Sequence, residues 1–217
     1  MSADVRSTAG PGPVDHIAYP PAPWQLAGHA CFSVFVLPAA QLPTTPDGFE
    51  PLVIARHGVV IAGWVEYRGG SVLEYGELCA AVAGRFRGRP AATVTHMWVD
   101  SEPSREGGRA LWGYPKELAE LDLRLSPGGS AAAWAAGREV AHGTFRARFR
   151  LPRLPRVRTG TVQVVGGRLA PIPCAGDARP VLGRGTFSPA PDGPLGFLAT
   201  GRRVATFGVQ DFRATFG

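Results

Sequence analysis

The stretch Gly108-Arg109-Ala110-Leu111-Trp112-Gly113-Tyr114-Pro115-Lys116-Glu117-Leu118 holds Lys116, the only lysine in a chain of 217 residues. All other members of the 23 lysines and arginines are arginines. A guanidinium stays protonated and cannot form an imine, whereas a lysine amine can lose its proton and attack a carbonyl carbon. Gly113 is suited to end a helix, and Pro115 holds Tyr114 extended. The stretch therefore predicts a helix, a turn and a candidate nucleophile at Lys116.

A short helix is predicted just before this turn, from about residue 103 to 111. The segment Asp100-Ser101-Glu102-Pro103 supplies a capping side chain, an acid in the first turn and a proline near the first helical position. Gly107 and Gly108 weaken such a helix by roughly 1 kcal/mol each relative to alanine. Because both residues are small, we expect the helix to pack closely against a neighbour.

The residues after the turn predict a half-buried strand, because apolar and charged side chains alternate from residue 119 to 125. Extending that register backwards would place Lys116 on the charged face. A bulge or turn near Glu117 would instead point the amine inward, as bulges often do beside active sites. We therefore expect a break in the strand near Glu117.

Most of the remaining chain predicts β-strands, since 29 glycines and 21 prolines suit many short strands joined by tight turns. Residues 1–22 predict a flexible N-terminal arm, and residues 23–217 a single domain. The Pro/Gly-rich segment 171–194 predicts an irregular loop. The predicted strand segments are 30–37, 51–56, 59–67, 73–86, 92–99, 119–125, 131–136, 139–151, 161–165 and several within 195–216.

The basic character of the chain raises the question of anionic partners, because its net charge is +6 and its pI is near 9.9. Arg146, Arg148 and Arg150 alternate with apolar residues, with Phe145 and Phe149 on the opposite face. A nucleic-acid site would place aromatic rings beside the arginines. We favour the outer face of a half-buried strand and predict no nucleic-acid partner.

Cysteine usage and hydropathy set the expected compartment. Cys31, Cys79 and Cys174 are odd in number and lack CxxC spacing, so neither a disulfide framework nor a metal site is predicted. The N-terminus has no signal pattern, and no apolar run approaches the roughly 18 residues of a membrane span. We expect a cytoplasmic protein with no membrane partner.

The segment His96-Met97-Trp98-Val99-Asp100-Ser101-Glu102-Pro103, followed by Gly108 to Leu118, resembles the acetoacetate decarboxylase family. In that family a strand, an acidic-Pro helix start, a Gly-Arg pair and a Tyr-Pro-Lys turn occur in this order. Leu73-Glu74-Tyr75-Gly76-Glu77 is similar to an upstream tyrosine-x-glutamate element. The resemblance implies an α+β, predominantly antiparallel β fold, a closed or partly closed, cone-like β-barrel with a few short helices. It also implies homo-oligomers and lysine chemistry without a cofactor.

By this resemblance Lys116 forms an imine with a small keto acid or aldehyde, and acetoacetate decarboxylase is an established example of such an activated lysine. Glu77 is the candidate to move protons or to position the substrate carboxyl, although it would also suit a surface strand. Arg109 binds a carboxylate or, as we favour, anchors the helix to a strand. The other expected substrate-binding residues are Tyr75, Met97, Trp98, Trp112, Tyr114 and His29.

Departures from the family pattern leave the reaction open. Glu117 stands where the family has a second lysine, so we expect apolar burial to lower the pKa of Lys116. His29 stands where the family has an arginine, and Glu66 lies near the place of a second family glutamate. Decarboxylation of a β-keto acid is the favoured reaction. The alternatives are a pyruvate-type aldolase-dehydratase using the same lysine and a non-catalytic β-barrel that binds small molecules.

Overall fold

One α-helix and thirteen β-strands form the regular structure of residues 17–126 and 128–217, the part of the chain that the computed structural model describes. The predicted N-terminal arm falls largely on residues 1–16, which lie outside that part. Short 3-10 turns occur at Ala39–Gln41 and Gly196–Thr200. The helix is α1 (Glu102–Trp112), and the strands are β1 (Trp24–Pro38), β2 (Glu50–Pro51), β3 (Val53–Ile54), β4 (His57–Tyr67), β5 (Tyr75–Phe86), β6 (Arg89–Val99), β7 (Lys116–Leu118), β8 (Glu120–Leu123), β9 (Gly128–Ala135), β10 (Arg138–Arg150), β11 (Leu154–Val165), β12 (Arg168–Pro189) and β13 (Arg202–Phe216).

All the strands belong to one sheet, whose main path runs β7-β6-β5-β4-β1-β13-β12-β10-β9-β8. Every pairing is antiparallel except that of β6 with β7, so the predicted α+β, predominantly antiparallel class is confirmed. The first and last strands of this path are separated in the chain by Ala119 alone. Within the described residues no backbone ladder joins them, so the expected closed or partly closed β-barrel is not confirmed.

The expectation of an irregular loop over residues 171–194 is wrong, because β12 spans most of that segment. Its prolines lack an N–H group but keep their carbonyls: Pro180 accepts a bond from Leu151, and Pro173 accepts one from Gly217. The glycines of β12 leave room for neighbouring side chains and do not form turns. A Cβ at Gly183 would lie 2.7 Å from the ring of Phe145.

The strands bury apolar side chains on both faces of the sheet, in two separate clusters. One cluster contains Trp64, Leu78 and Trp98, and the other contains Tyr67 and Met97. The two sets alternate along β4 and β6, as successive side chains of a strand must. The second cluster surrounds the candidate site.

The arginine face of β10 is exposed, as predicted, but the opposite face is buried only in part, since Phe149 on that face is 66% exposed. Arg146, Arg148 and Arg150 face solvent, whereas Phe145 is 5% exposed within the first cluster. No helix within residues 17–126 and 128–217 combines the length and apolar character needed to cross a membrane.

Candidate active site

Helix α1 is held at both ends by the residues that the sequence indicated. The Ser101 side chain accepts a hydrogen bond from the backbone N–H of Ser104, 3.3 Å away. At the other end Gly113 has φ 67°, and its N–H donates to the carbonyl of Arg109 at 3.0 Å. This left-handed cap turns the chain sharply. Strand β7, which begins at Lys116, therefore lies beside α1.

The inward direction of Lys116 comes from a parallel pairing that the sequence did not indicate. β7 pairs with β6, and Lys116 lies opposite Met97. Lys116 is buried and Glu117 is exposed, as alternation along a strand requires. The predicted break in the strand falls at Ala119 and not near Glu117. The three residues of β7 lie at one edge of the sheet, and the four residues of β8 lie at the other.

The amine of Lys116 has three hydrogen-bond acceptors around it, and the residue is only 2% exposed. Nζ lies 2.9 Å from Ser104 Oγ, 3.1 Å from Glu77 Oε2 and 3.3 Å from the Tyr75 hydroxyl. A lysine ammonium has three N–H donors, so this set satisfies the protonated form completely. Of the three acceptors, only the Glu77 carboxylate is a base that can take a proton from the amine.

Two glycines of α1 make room for this arrangement, as expected from their small size. A Cβ at Gly108 would lie 2.6 Å from Cδ of Lys116. A Cβ at Gly107 would lie 2.5 Å from the ring of Trp24, which packs on the same side of the helix. The two glycines lower the intrinsic helix propensity of α1, but they allow the helix to contact the lysine closely.

Glu77 lies on β5 and is 5% exposed, so it is not a surface carboxylate. Its Oε1 accepts a hydrogen bond of 3.4 Å from the Tyr67 hydroxyl on β4. The rings of Tyr67 and Tyr75 pack against each other, with their centroids 4.4 Å apart. Both oxygens of Glu77 are thus engaged, one by a tyrosine and one by Lys116.

The charge environment contradicts the expectation that apolar burial lowers the pKa of Lys116. Burial alone would lower the pKa of this amine, but the Tyr75 hydroxyl and the Glu77 carboxylate together outweigh it, and the pKa is raised. Burial raises the pKa of Tyr75 and, with the charge of Glu77, that of Tyr67, so both hydroxyls stay neutral. The resting pair is therefore an ammonium facing a carboxylate.

A cavity of about 260 Å³ opens beside this pair. Most of its lining residues are apolar or aromatic, and Lys116 and Glu77 are its only charged residues among the described side chains. The structure brings six of the nine predicted site residues to this cavity: Lys116, Glu77, Tyr75, Met97, Trp112 and Tyr114.

Trp98 and His29 do not line the cavity. The side chain of each residue points to the face of its strand that is turned away from the cavity. Trp98 follows Met97 directly on β6, and its ring stacks on His96 with centroids 6.0 Å apart. His29 Nδ1 accepts a bond from the backbone N–H of Asp211 at 3.2 Å. Glu66, the strand partner of His29, also turns away and accepts a bond from the N–H of Leu125.

Arg109 holds the backbone of β7 and does not line the cavity. Its Nε donates to the carbonyl of Lys116 at 2.6 Å, and its Nη2 donates to Glu117 Oε1 at 2.5 Å. This geometry agrees with the favoured interpretation of Arg109 as an anchor between helix and strand. Arg109 therefore acts on the position of the lysine backbone and is not placed to bind a ligand.

Sequence reasoning missed three residues that lie around the pair, namely Ser104, Tyr67 and Trp24. Ser104 and Gly108 are four residues apart, so both lie on the helix face beside Lys116, and this spacing was an available signal. Tyr67 is the cross-strand neighbour of Tyr75 in the predicted hairpin of β4 and β5. Trp24, with its ring 6.0 Å from Nζ, had no local signal because it comes from the distant start of β1.

The described residues contain no group of three or more His, Cys, Asp or Glu side chains arranged to hold a metal ion. The polar groups that face the cavity are hydroxyls, a thiol, one amine and one carboxylate. Together these groups can carry out proton transfer and addition of an amine to a carbonyl.

The amino-acid sequence of the chain matches a known protein family. The family model described as Acetoacetate decarboxylase (ADC) matches residues 40–170, which is more than half of the chain. The acetoacetate decarboxylase of Ralstonia nicotianae is 32% identical over 127 residues, which cover 56% of this chain and 49% of that protein. The chain spans about half the length of the curated relatives it matches.

Two solved structures have the same fold over nearly the whole chain. The acetoacetate decarboxylase of Legionella pneumophila has a TM-score of 0.67 at 17% identity and covers 99% of this chain and 95% of its own. The enduracididine biosynthesis enzyme MppR complexed with pyruvate has a TM-score of 0.64 at 17% identity and covers 93% and 91%. At this identity the likeness shows the fold, and the site must be interpreted from its own residues.

Proposed function

The chain belongs to the acetoacetate decarboxylase family, and we propose that it is a lysine-dependent lyase that forms an imine between Lys116 and a small keto acid. The proposed reaction is decarboxylation of a β-keto acid. One observation carries the proposal: Lys116 Nζ lies 3.1 Å from Glu77 Oε2, and both side chains are buried in the wall of a cavity.

The first step is proton transfer from the ammonium of Lys116 to Glu77. The raised pKa of Lys116 disfavours a free neutral amine, and the contact with Glu77 supplies a route to one. Moving the proton across 3.1 Å converts the ion pair into a neutral amine and a carboxylic acid. A dry site favours the neutral pair relative to water, because burial penalises both charges.

The neutral amine then adds to the ketone carbon, and Glu77 returns the proton to the departing hydroxyl as water leaves. The product is a protonated imine. Its positive nitrogen accepts the electron pair of the bond to the carboxylate carbon, and CO2 leaves with formation of an enamine. Protonation of the enamine carbon and hydrolysis release the ketone and restore Lys116. Glu77 is the proposed proton carrier in these steps, since acid–base catalysis needs a group within hydrogen-bond reach.

The cavity supports a small substrate. Its volume of about 260 Å³ lies just below the usual range of small-molecule sites, which begins at about 300 Å³. Tyr75 and Ser104 remain as neighbours of the nitrogen after the proton has moved, so they can hold it in place during attack. Met97, Trp112 and Tyr114 supply the apolar wall around the reacting carbon.

The proposal is tested by reductive trapping with intact-mass measurement. The protein is incubated with acetoacetate or acetone and borohydride, which reduces an imine to a stable secondary amine. One adduct at Lys116 is expected, and Lys116→Arg should give none. Absence of an adduct with every carbonyl compound tried would leave a binding protein as the remaining interpretation.

Assembly into homo-oligomers remains a prediction, to be measured by sedimentation.

A second candidate is condensation of a keto acid with an aldehyde on the same lysine, followed by loss of water. It is favoured by the fold shared with MppR, whose structures include complexes with pyruvate and with a condensation product of pyruvate and an imidazole aldehyde. Release of CO2 from a β-keto acid supports the first reaction. Formation of a dehydrated product from pyruvate and an aldehyde, without CO2, supports the second.

A further inference from the structure

A second cavity, of about 230 Å³, adjoins the one beside Lys116. The two cavities share five lining residues, namely Phe32, Val65, Tyr67, Thr159 and Phe216. Tyr67 stands between the two spaces, since its hydroxyl contacts Glu77 and its ring packs edge-on against Phe212 of the second cavity at 5.9 Å. The two cavities therefore lie side by side, with Tyr67 at their boundary.

The second cavity is lined almost wholly by apolar groups. Ala30, Val209, Phe212 and Ala214 come from β1 and β13, and strands β11 and β12 close the other side. Asp177 is the one charged residue among its described lining residues, and its carboxylate is paired with Arg153.

The Cys174 thiol in the same wall is neutral, because burial raises its pKa to about 11. Within the described side chains, then, no free charge faces this space. Among the described residues of this wall, Thr159, at the boundary of the two cavities, carries the only hydroxyl other than that of Tyr67.

We propose that the substrate carries an unbranched alkyl or an aryl tail on its carbonyl carbon, and that this tail occupies the second cavity while the carbonyl meets Lys116. The inference rests on the proposed function. The reacting carboxylate lies near the Lys116 nitrogen, and the tail leaves the carbonyl carbon on the other side, past the ring of Tyr67.

The recognition is hydrophobic, so its strength should grow with tail length until the space is filled. Each buried methylene is expected to increase the apparent affinity or kcat/KM about fourfold. Without the second cavity the increase would end once the tail had filled the cavity of about 260 Å³ beside Lys116.

The test uses methyl ketones of increasing length, from acetone to 2-octanone, trapped at Lys116 by borohydride and followed by intact mass. Half-maximal trapping by 2-octanone is expected at a concentration at least tenfold lower than for acetone. Ala214→Phe, which fills the second cavity, should reduce this advantage of 2-octanone over acetone, and an unchanged ratio would overturn the tail inference. Ala205→Phe, an exposed alanine on the same strand, is the matched control and should keep the wild-type ratio.

Each outcome decides one of the two proposals. An adduct with acetone but equal trapping of all ketones would overturn the tail inference and leave the lyase proposal standing. No adduct with any ketone would overturn both. If Ala214→Phe fails to fold, as judged by circular dichroism, Ala178→Phe fills the same cavity from β12 and supplies the same comparison.

Discussion

Gly108 lies directly against the side chain of Lys116, so that a Cβ at this glycine would be 2.6 Å from Cδ and 2.7 Å from Cε of the lysine. Ser104, one turn earlier on the same helix face, accepts a hydrogen bond from Lys116 Nζ through its Oγ at 2.9 Å. The helix thus holds both parts of the lysine side chain. Gly108 contacts its methylene groups, and the Ser104 hydroxyl contacts its nitrogen.

Gly108→Ala is expected to displace Lys116 and reduce imine formation by more than tenfold. Overpacking of this kind typically costs about 1–3 kcal/mol, so the protein should stay folded with a lower free energy of unfolding. Ala110→Ser, an exposed change in the same helix, should leave trapping unaffected. Equal trapping rates in Gly108→Ala and the wild type would contradict this account of how the amine is positioned.

Glu77→Gln removes the carboxylate that helps raise the pKa of Lys116, so that Tyr75 alone opposes the effect of burial. The pKa of the amine should therefore fall, and acylation of Lys116 by a small ester should reach half-maximum at a lower pH. Turnover should decrease by about 10² to 10⁴, the usual contribution of a general acid–base group. Glu66→Gln, on the face of β4 away from the cavity, is the control. An acylation profile unchanged by Glu77→Gln would show that the carboxylate does not govern the amine.

Gly113→Ala is expected to destabilise the protein more than Gly88→Ala does. Both glycines have positive φ, 67° and 73°, so alanine is strained at each by about 1–3 kcal/mol. A Cβ at Gly113 would also lie 2.0 Å from the carbonyl oxygen of Val164, whereas none of the described atoms lies within 4 Å of a Cβ at Gly88. Urea unfolding of the two variants isolates the contact between the end of α1 and β11. Equal losses would show that this contact relaxes freely.

Stability is expected to fall as the pH rises above about 10, where unfolded tyrosine and lysine lose their protons. The pKa values of Tyr67, Tyr75 and Lys116 are all raised in the fold. A raised pKa gives stability that is present below the unfolded value and is lost as the pH climbs through the folded one, so the three effects add. Tyr67→Phe should lower the steepness of the loss between about pH 9 and 11, and Tyr19→Phe, which changes an exposed ring, should not. A Tyr67→Phe curve parallel to the wild type would contradict this assignment.

Local signals predicted the setting of the lysine well. The cap at Ser101, the left-handed turn at Gly113 and the hairpin of β5 and β6 depend on residues close in sequence, and all three are present. Alternation along β5 also puts Tyr75 and Glu77 on one face, which the structure places beside Lys116. Each of these features is decided within a few residues, where sterics and hydrogen bonding act without help from the rest of the chain.

What the sequence did not reveal depends on partners far along the chain. Periodicity tells which residues share a face but not which face meets a cavity, so Trp98 and His29 were grouped with neighbours that point the opposite way. The strand β12 was missed because its prolines and glycines lack intrinsic β preference, and three partner strands supply its pairing instead. The direction in which the pKa of Lys116 shifts could likewise not be predicted without the distance to Glu77. Burial lowers this pKa, whereas the neighbouring groups raise it.

The single residue Ala119 connects the lysine strand at one edge of the sheet to β8 at the other. A connection this short has no slack, so inserting or deleting one residue there would exchange the inward and outward faces of β7 or of β8. The turn at Gly166–Gly167, where none of the described atoms lies within 4 Å of either Cβ position, has no such constraint. Changes of chain length during evolution should therefore accumulate at such turns, while the spacing from Lys116 to β8 stays fixed.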